Sequence, residues 1–489
     1  MTAAVNEGAG ARDAADQVWS RWTAIWMVVV LALFLVLSLL GLVMRLTQGE
    51  VLGQVTPEWF YALLTLHGVG MVGAWYVGAM AGVSHQLRRY VEPSMAVSRG
   101  VFVATLVGVL LLIAATLVGR FGTGWYFLHP LPFYSSGVWS GWATAAFFGA
   151  LAVLGVAWTV WTVDLLRAIA RRYSLGGALA WHYLRGKSEP ETPAFILVVT
   201  ATLISALAAF AAAVLVLVLF LSEWLHPDLV QDSLLMKNLI FFFGHGLVNI
   251  TMYLGVALVY DLLPRYSSRS LSTNRLTAAA WNIAMFLVLL VYFHHLYMDF
   301  AQPSLMQYIG QIGSYVISIP AAVISIFSTL YLVYRASVRW TLTSLFLFFG
   351  VMGWAIGGVQ AVIDSTISAN FRYHNTLWVP SHFHTYYLLG VVMMVLAFAY
   401  HLGRDSGDGG RRTRWTTGLF LIGGYGLVMI FAVGGALSVP RRYSNYPEEL
   451  AHGASLSQLS IVFIALLLIA SILFIHETVT RYRTGYTSP

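Results

Sequence analysis

The stretch His374-Asn375-Thr376-Leu377-Trp378-Val379-Pro380-Ser381-His382-Phe383-His384 decides how the rest of the chain is read. It leads into an apolar run over 377–402, and a bilayer is crossed by about 20 such residues. An imidazole in an apolar run is costly without a hydrogen-bond partner or a ligand role. On a helix, positions two apart point about 200° from each other. His382 and His384 therefore face opposite sides, and one helix can offer an axial nitrogen to each of two planar groups.

Working outward, composition fixes the class. The chain is 59% hydrophobic and 10% charged, with mean hydropathy +0.76. This predicts an all-α polytopic membrane protein. There is no cysteine, which excludes disulfides, thiolate metal sites, thioether-linked haem and iron–sulfur clusters within this chain. Imidazole is the strong ligand left. The net charge of +7 lies in short loops between apolar runs, a membrane-orientation signal that argues against nucleic acid as a partner.

Twelve runs are long enough to span: 22–46, 58–84, 100–120, 136–163, 194–222, 237–263, 276–300, 306–334, 339–363, 377–402, 414–438 and 456–477. They predict a twelve-helix domain over 21–480, with a cytoplasmic N-terminal segment 1–20 and a cytoplasmic tail 481–489. The first 20 residues are polar and show no removable leader. The segment 164–193 reads as a basic cytoplasmic loop. Loops after the even-numbered runs carry Arg88, Arg89 and Arg99; Arg167, Arg171, Arg172, Arg185 and Lys187; Arg265, Arg269 and Arg275; Arg335 and Arg339; and Arg404, Arg411, Arg412 and Arg414. The opposite loops carry Glu50, Glu58, Glu223, Asp228, Asp232, Asp299 and Asp364. Both termini are therefore expected in the cytoplasm of a prokaryote, with the chain in its cytoplasmic membrane.

That topology serves as a ruler. His67, His245, His294, His295, His382 and His384 fall about 5–12 residues from the outer ends of their runs, a shared layer roughly 7–18 Å deep. Random core histidines on four helices have no reason to share a depth. His294 and His295, about 100° apart, can reach one metal if their helix is slightly deformed, and His245 adds a third nitrogen. His67 is left to pair with one of the two histidines on the tenth run, as second axial ligand of a six-coordinate haem.

With Leu66-His67-Gly68, Gly244-His245, His294-His295, the His374–His384 stretch and Pro440-Arg441-Arg442-Tyr443 in view, the chain resembles catalytic subunit I of the haem–copper oxidoreductases over essentially all twelve runs. The tenth run is most similar to the B-type oxidase branch. The resemblance implies two haems and one non-haem metal. His67 and His384 would ligate the low-spin haem, His382 the high-spin haem, and His245, His294 and His295 the metal. Arg441 and Arg442 match arginines beside the haem propionates, which suits guanidinium recognition of carboxylates. For His374 and Asn375, just outside the layer, it suggests a place near propionates or an interfacial ion.

One departure bears on the substrate. Oxygen-reducing members with this pattern carry a tyrosine four residues after the first metal histidine; here that position is Asn249. Six residues before the histidine pair, the other known place, stands Val288, and Tyr292 is expected to face away from His294. Cleaving O2 in one step needs four electrons, whereas joining two NO molecules needs two. A site with Asn249 and no tyrosine is better matched to NO, although the best-known NO reductases place glutamates beside a non-haem iron and this chain has none there. The expectation is a membrane oxidoreductase reducing NO to N2O, with a terminal oxygen reductase as the alternative and a secondary transporter, which usually shows broken helices or repeats, as the third. Copper and iron both suit imidazole. Electrons are expected from a partner resembling subunit II, an external cytochrome or cupredoxin, or quinol.

Proton supply is less legible. After Pro320 come Ala321, Ala322, Val323 and Ile324, so a polar route along the sixth and eighth runs reads as broken, with Tyr260 and Asp261 at its inner end. His85, His182, His226, His401, His452 and His476 lie near loops or run ends and are expected to be solvated.

Overall fold

The structure is a computed structural model and describes residues 2–53, 55–187, 189–403 and 410–487. Arg404 and the ends of the two terminal segments lie outside the described residues. Among those residues there is no strand, only an isolated bridge between Thr376 and Pro440.

Among the described residues, eleven helices are long and apolar enough to cross a membrane, and the chain is a multi-pass membrane protein. They are α1 (Ala15–Gln48), α2 (Pro57–Leu87), α3 (Met95–Val118), α4 (Gly141–Tyr173), α5 (Ala194–Leu225) and α6 (Ser233–Ser267). After a shorter helix, α7 (Arg275–Leu287), come α8 (Ser304–Val333), α9 (Leu342–Ser365), α10 (Trp378–Leu402), α11 (Arg411–Ala436) and α12 (Glu448–Thr484). Local chemistry sets the starts. The Asp232 carboxylate accepts from Leu235 N at 2.7 Å, Asn274 from Thr277 N at 2.9 Å, and Pro57 occupies the first turn of α2; each deals with amides a helix N-terminus leaves unpaired.

Two expectations change. The run 276–300 is not one spanning helix: α7 stops at Leu287, and a 3-10 segment, Val291–Leu296, follows. The 3-10 turn is the tighter form used in short pieces. It supplies the deformation that two adjacent histidines need to share one centre, at the cost of a twelfth continuous span. The segment 164–193 is also not simply a loop, since α4 continues to Tyr173 and is followed by short helices Leu175–Ala178 and Trp181–Leu184.

Packing puts the histidine helices innermost. In the most apolar 18-residue window, 83% of α10 and 72% of α6 is buried, against 33–50% of each other span. The outer helices turn apolar faces to lipid, where burial brings no hydrophobic gain, so close approach depends on small residues. A Cβ on Gly357 of α9 would sit 2.9 Å from the Tyr386 Cα on α10. Helix α10 also carries a π-helical turn at Tyr387–Val392, just after its histidines, a feature frequent at functional sites.

Candidate metal and cofactor centre

A cavity of about 380 Å³ lies among the central helices, walled by His67, His245, His294, His295, His382 and His384 together with Asn249, Tyr386, Arg441 and Arg442. All six histidines expected to share a layer therefore meet around one space. His245, His294 and His295 each present a nitrogen within 4.8 Å of the other two. Their ring centroids are 5.1 Å (His245 to His294), 5.3 Å (His245 to His295) and 4.1 Å (His294 to His295) apart.

Hydrogen bonding selects which nitrogen faces inward. His67 Nδ1 lies 2.8 Å from the Leu37 carbonyl oxygen, His384 Nδ1 2.7 Å from that of Pro380, and His382 Nδ1 3.2 Å from that of Gly357. A carbonyl only accepts, so each Nδ1 carries the proton and each Nε2 keeps its lone pair for a ligand. His294 Nδ1 reaches the Ser314 hydroxyl at 3.0 Å, and that hydroxyl donates to the Gly310 carbonyl, which again leaves Nε2 open. His245 Nδ1 is buried with no hydrogen-bond partner.

The orphaned His245 Nδ1 and the open Nε2 atoms of the other rings test the fit to haems and a metal. A buried polar atom without a partner costs about 1–3 kcal/mol. Three imidazoles with convergent nitrogens and three more with backbone-fixed tautomers form a donor set suited to one metal ion and two axially ligated haems. At the end of the cavity next to the 374–378 turn, Arg441 Nη2 lies 3.1 Å from Asn375 Oδ1, and its amide donates to the Asn375 carbonyl at 2.8 Å. Arg441 Nε remains buried and unpaired, as a carboxylate-binding guanidinium would leave it. Arg442 stands over the Tyr126 ring at 5.1 Å, and burial, with the Arg441 charge beside it, pulls its pKa down to about 10. His374 is pulled down to about 4, first by burial and then by Arg441, so it is neutral at pH 7.

Asn249 shares the His245 face of α6, as its position one turn later requires. Its Nδ2 lies 2.9 Å from the His245 carbonyl oxygen and 3.3 Å from His245 Nε2. Tyr292 turns away, its hydroxyl 3.1 Å from Asn238 Oδ1. Val288 lies buried in the core.

Sequence reasoning missed several groups. Arg45, buried on α1, extends Nη1 to Gln48 at 2.7 Å and Nε to Ser460 at 3.0 Å, lies 5.0 Å over the Phe431 ring, and lines the cavity beside His67 and His384. A lone arginine at the end of the first run expected to face outward, against the charge bias of the loops, was the available signal. His129 was also passed over. It is buried between Glu223 Oε2 at 2.8 Å and Ser233 Oγ at 3.0 Å. His85, His182 and His401 are not solvated as expected: His85 sits 3.4 Å from the Thr23 hydroxyl, His401 2.8 Å from the Tyr266 hydroxyl, and His182 Nε2 is buried. Between α6 and α8, Tyr260 meets Ser325 at 3.0 Å, one helical turn beyond the alanines that read as a break. A second, largely apolar cavity of about 380 Å³ among α1 to α6 reaches Trp125, Gly244 and Leu247.

Residues 21–473 match the family described as cytochrome c and quinol oxidase polypeptide I. The chain belongs to this family. It is 24% identical over 477 residues to a probable cytochrome c oxidase subunit 1 of Bradyrhizobium diazoefficiens, covering 91% of this chain and 68% of that one. It is 25% identical over 291 residues to cytochrome c oxidase subunit 1 of Thermus thermophilus, covering 54% of this chain and 51% of the relative. It is 24% identical over 457 residues to a heme-copper oxidase subunit I+III of Aeropyrum pernix, covering 89% of this chain and 53% of the relative. The chain thus spans about half the length of the last two. A cryo-EM structure of a heme-copper terminal oxidase dimer shares the fold, with TM-score 0.75 at 18% identity over 97% of this chain and 84% of that one. The chain is accordingly an oxidoreductase of the haem–copper oxidase subunit I family.

Proposed function

We propose that this family member reduces NO to N2O, by the balance 2 NO + 2 H⁺ + 2 e⁻ → N2O + H2O, in a cytoplasmic membrane with both termini inside. The observation that carries this reading is Asn249, whose amide lies 3.3 Å from His245 Nε2 at the position where oxygen-reducing members carry a tyrosine; a phenol does reach this cavity, that of Tyr386, but it comes from α10 and is held on the Asn249 amide oxygen at 2.7 Å. An amide offers hydrogen bonds but no electron. The apolar cavity that ends at Gly244 suits a small uncharged gas.

His67 and His384 would hold the low-spin haem, His382 the high-spin haem, and His245, His294 and His295 a copper or iron ion. When bound, these groups would supply electron transfer and paired metal positions for two gas molecules. The chain's own part is to fix the imidazole tautomers through Leu37, Pro380, Gly357 and Ser314, and to seat propionates on Arg441 and Arg442. His374 and Asn375 would stand beside those propionates or an interfacial ion. Electrons would come from a separate donor: a subunit II-like partner, a cytochrome or cupredoxin, or quinol.

Oxygen reduction is the second reading, favoured by the relatives, which are named as oxidases. The deciding experiment gives the purified enzyme one artificial reductant and compares rates on an NO electrode and an oxygen electrode, with N2O measured directly. NO consumption exceeding complete O2 reduction, and its loss in Asn249→Leu, is expected. Fast O2 reduction with negligible N2O would return the protein to the oxygen reductases.

A further inference from the structure

Asn249 is not held by its own helix alone. Tyr386 stands one turn after His382 on α10, and i and i+4 share a helix face, so its phenol enters the same cavity. Its hydroxyl lies 2.7 Å from Asn249 Oδ1. The other end of the amide, Nδ2, lies 2.9 Å from the His245 carbonyl oxygen. That carbonyl already belongs to the backbone ladder of α6 and accepts only. It identifies the nitrogen end but is a weak anchor alone.

We propose that Tyr386 is a positioning residue which, with the His245 carbonyl, clamps the Asn249 amide at two points and fixes it against His245 at the edge of the metal cavity. The phenol O–H donates to Oδ1, so Nδ2 is directed to the His245 side. The clamp joins α10, which carries His382, to α6, which carries His245, through one side-chain hydrogen bond. Close approach of α9 keeps it in register, since the Gly357 position lies against the Tyr386 backbone. Without the phenol, the amide oxygen loses this partner and the side chain can rotate about its last bond, a broad torsion.

The proposal rests on the reading that His245, His294 and His295 hold a metal and His382 a haem, and it is independent of whether NO or O2 is the substrate. The test uses the reduced, carbon-monoxide-bound holoenzyme and reads the infrared C–O stretch. Wild type is compared with Tyr386→Phe, Asn249→Leu and the double variant, with haem and metal content measured in each. Tyr386→Phe removes one oxygen atom and keeps the ring, and Asn249→Leu probes the same contact from the other helix. The expected result is a shifted or broadened band in each single variant, no further change in the double variant beyond Asn249→Leu, and unaltered haem and metal content. Turnover in Tyr386→Phe should fall roughly three- to tenfold, the range one lost hydrogen bond can produce. A wild-type band in Tyr386→Phe overturns the proposal, as do additive shifts in the double variant, because residues acting as one unit are non-additive. A shifted band in an enzyme that proves to reduce O2 supports the clamp while removing the NO assignment.

Discussion

His382 Nδ1 and the Gly357 carbonyl oxygen are 3.2 Å apart, and this contact between α10 and α9 exists because residue 357 has no side chain. A Cβ there would fall 2.9 Å from both Cα and N of Tyr386, and backbone atoms cannot step aside as a flexible side chain would.

Gly357→Ala should therefore push α9 off α10, weaken the bond that fixes the His382 tautomer, and lower occupancy of the high-spin haem. Overpacking of this kind costs about 1–3 kcal/mol. Haem per protein should fall from two toward one while the six-coordinate spectrum persists, as read by haemochrome assay and optical spectra. Two haems with an unchanged high-spin signature would show that the contact is not needed.

His67→Ala and His384→Ala should each abolish the six-coordinate low-spin spectrum and leave a five-coordinate haem on His382. The back-to-back arrangement of the pair on α10 is the reason. Survival of both haem signatures in both variants would mean that the axial ligands lie elsewhere.

Replacing His245, His294 or His295 by Ala should remove one metal ion per protein and stop turnover with both haems retained. Elemental analysis of the wild type decides copper against iron. Full metal content and activity in all three variants would leave the cluster without a metal role.

Glu223→Ala should strip buried His129 of its partner at 2.8 Å. A loss of about 1–3 kcal/mol follows from one orphaned polar atom. The thermal midpoint should drop while haem spectra and metal content stay as in wild type. An unchanged midpoint would show that water replaces Glu223 at no cost.

The membrane class, eleven of the twelve spans and the meeting of six histidines were legible in the sequence because long apolar runs and charged loops are one-dimensional signals. Depth along a helix is also a count of residues, which is why His67 on α2 could be placed in one layer with the two histidines of α10. Contacts between helices were not legible. The Tyr386 bond to Asn249 joins positions far apart in the chain, and nothing in the α10 pattern separates Tyr386 from an aromatic facing lipid. His129 lies in a loop with no periodicity to place it. The break after Leu287 escaped because hydropathy is blind to a change from α to 3-10 winding, and a run of Val, Leu, Tyr and Phe stays apolar in either. Ser325 escaped because the expected polar positions were read just after Pro320, one turn too early.

His382 and His384 are separated only by Phe383, whose ring stacks on Tyr387 with centroids 5.2 Å apart. The spacing between whatever groups the two imidazoles hold is thus set by covalent bonds within one helix. Breathing of the bundle, tilting of neighbouring spans or a change of lipid thickness moves both anchors together. The separation between the two anchors is a constant of one helix, insulated from the softer motions by which the rest of the protein accommodates its membrane.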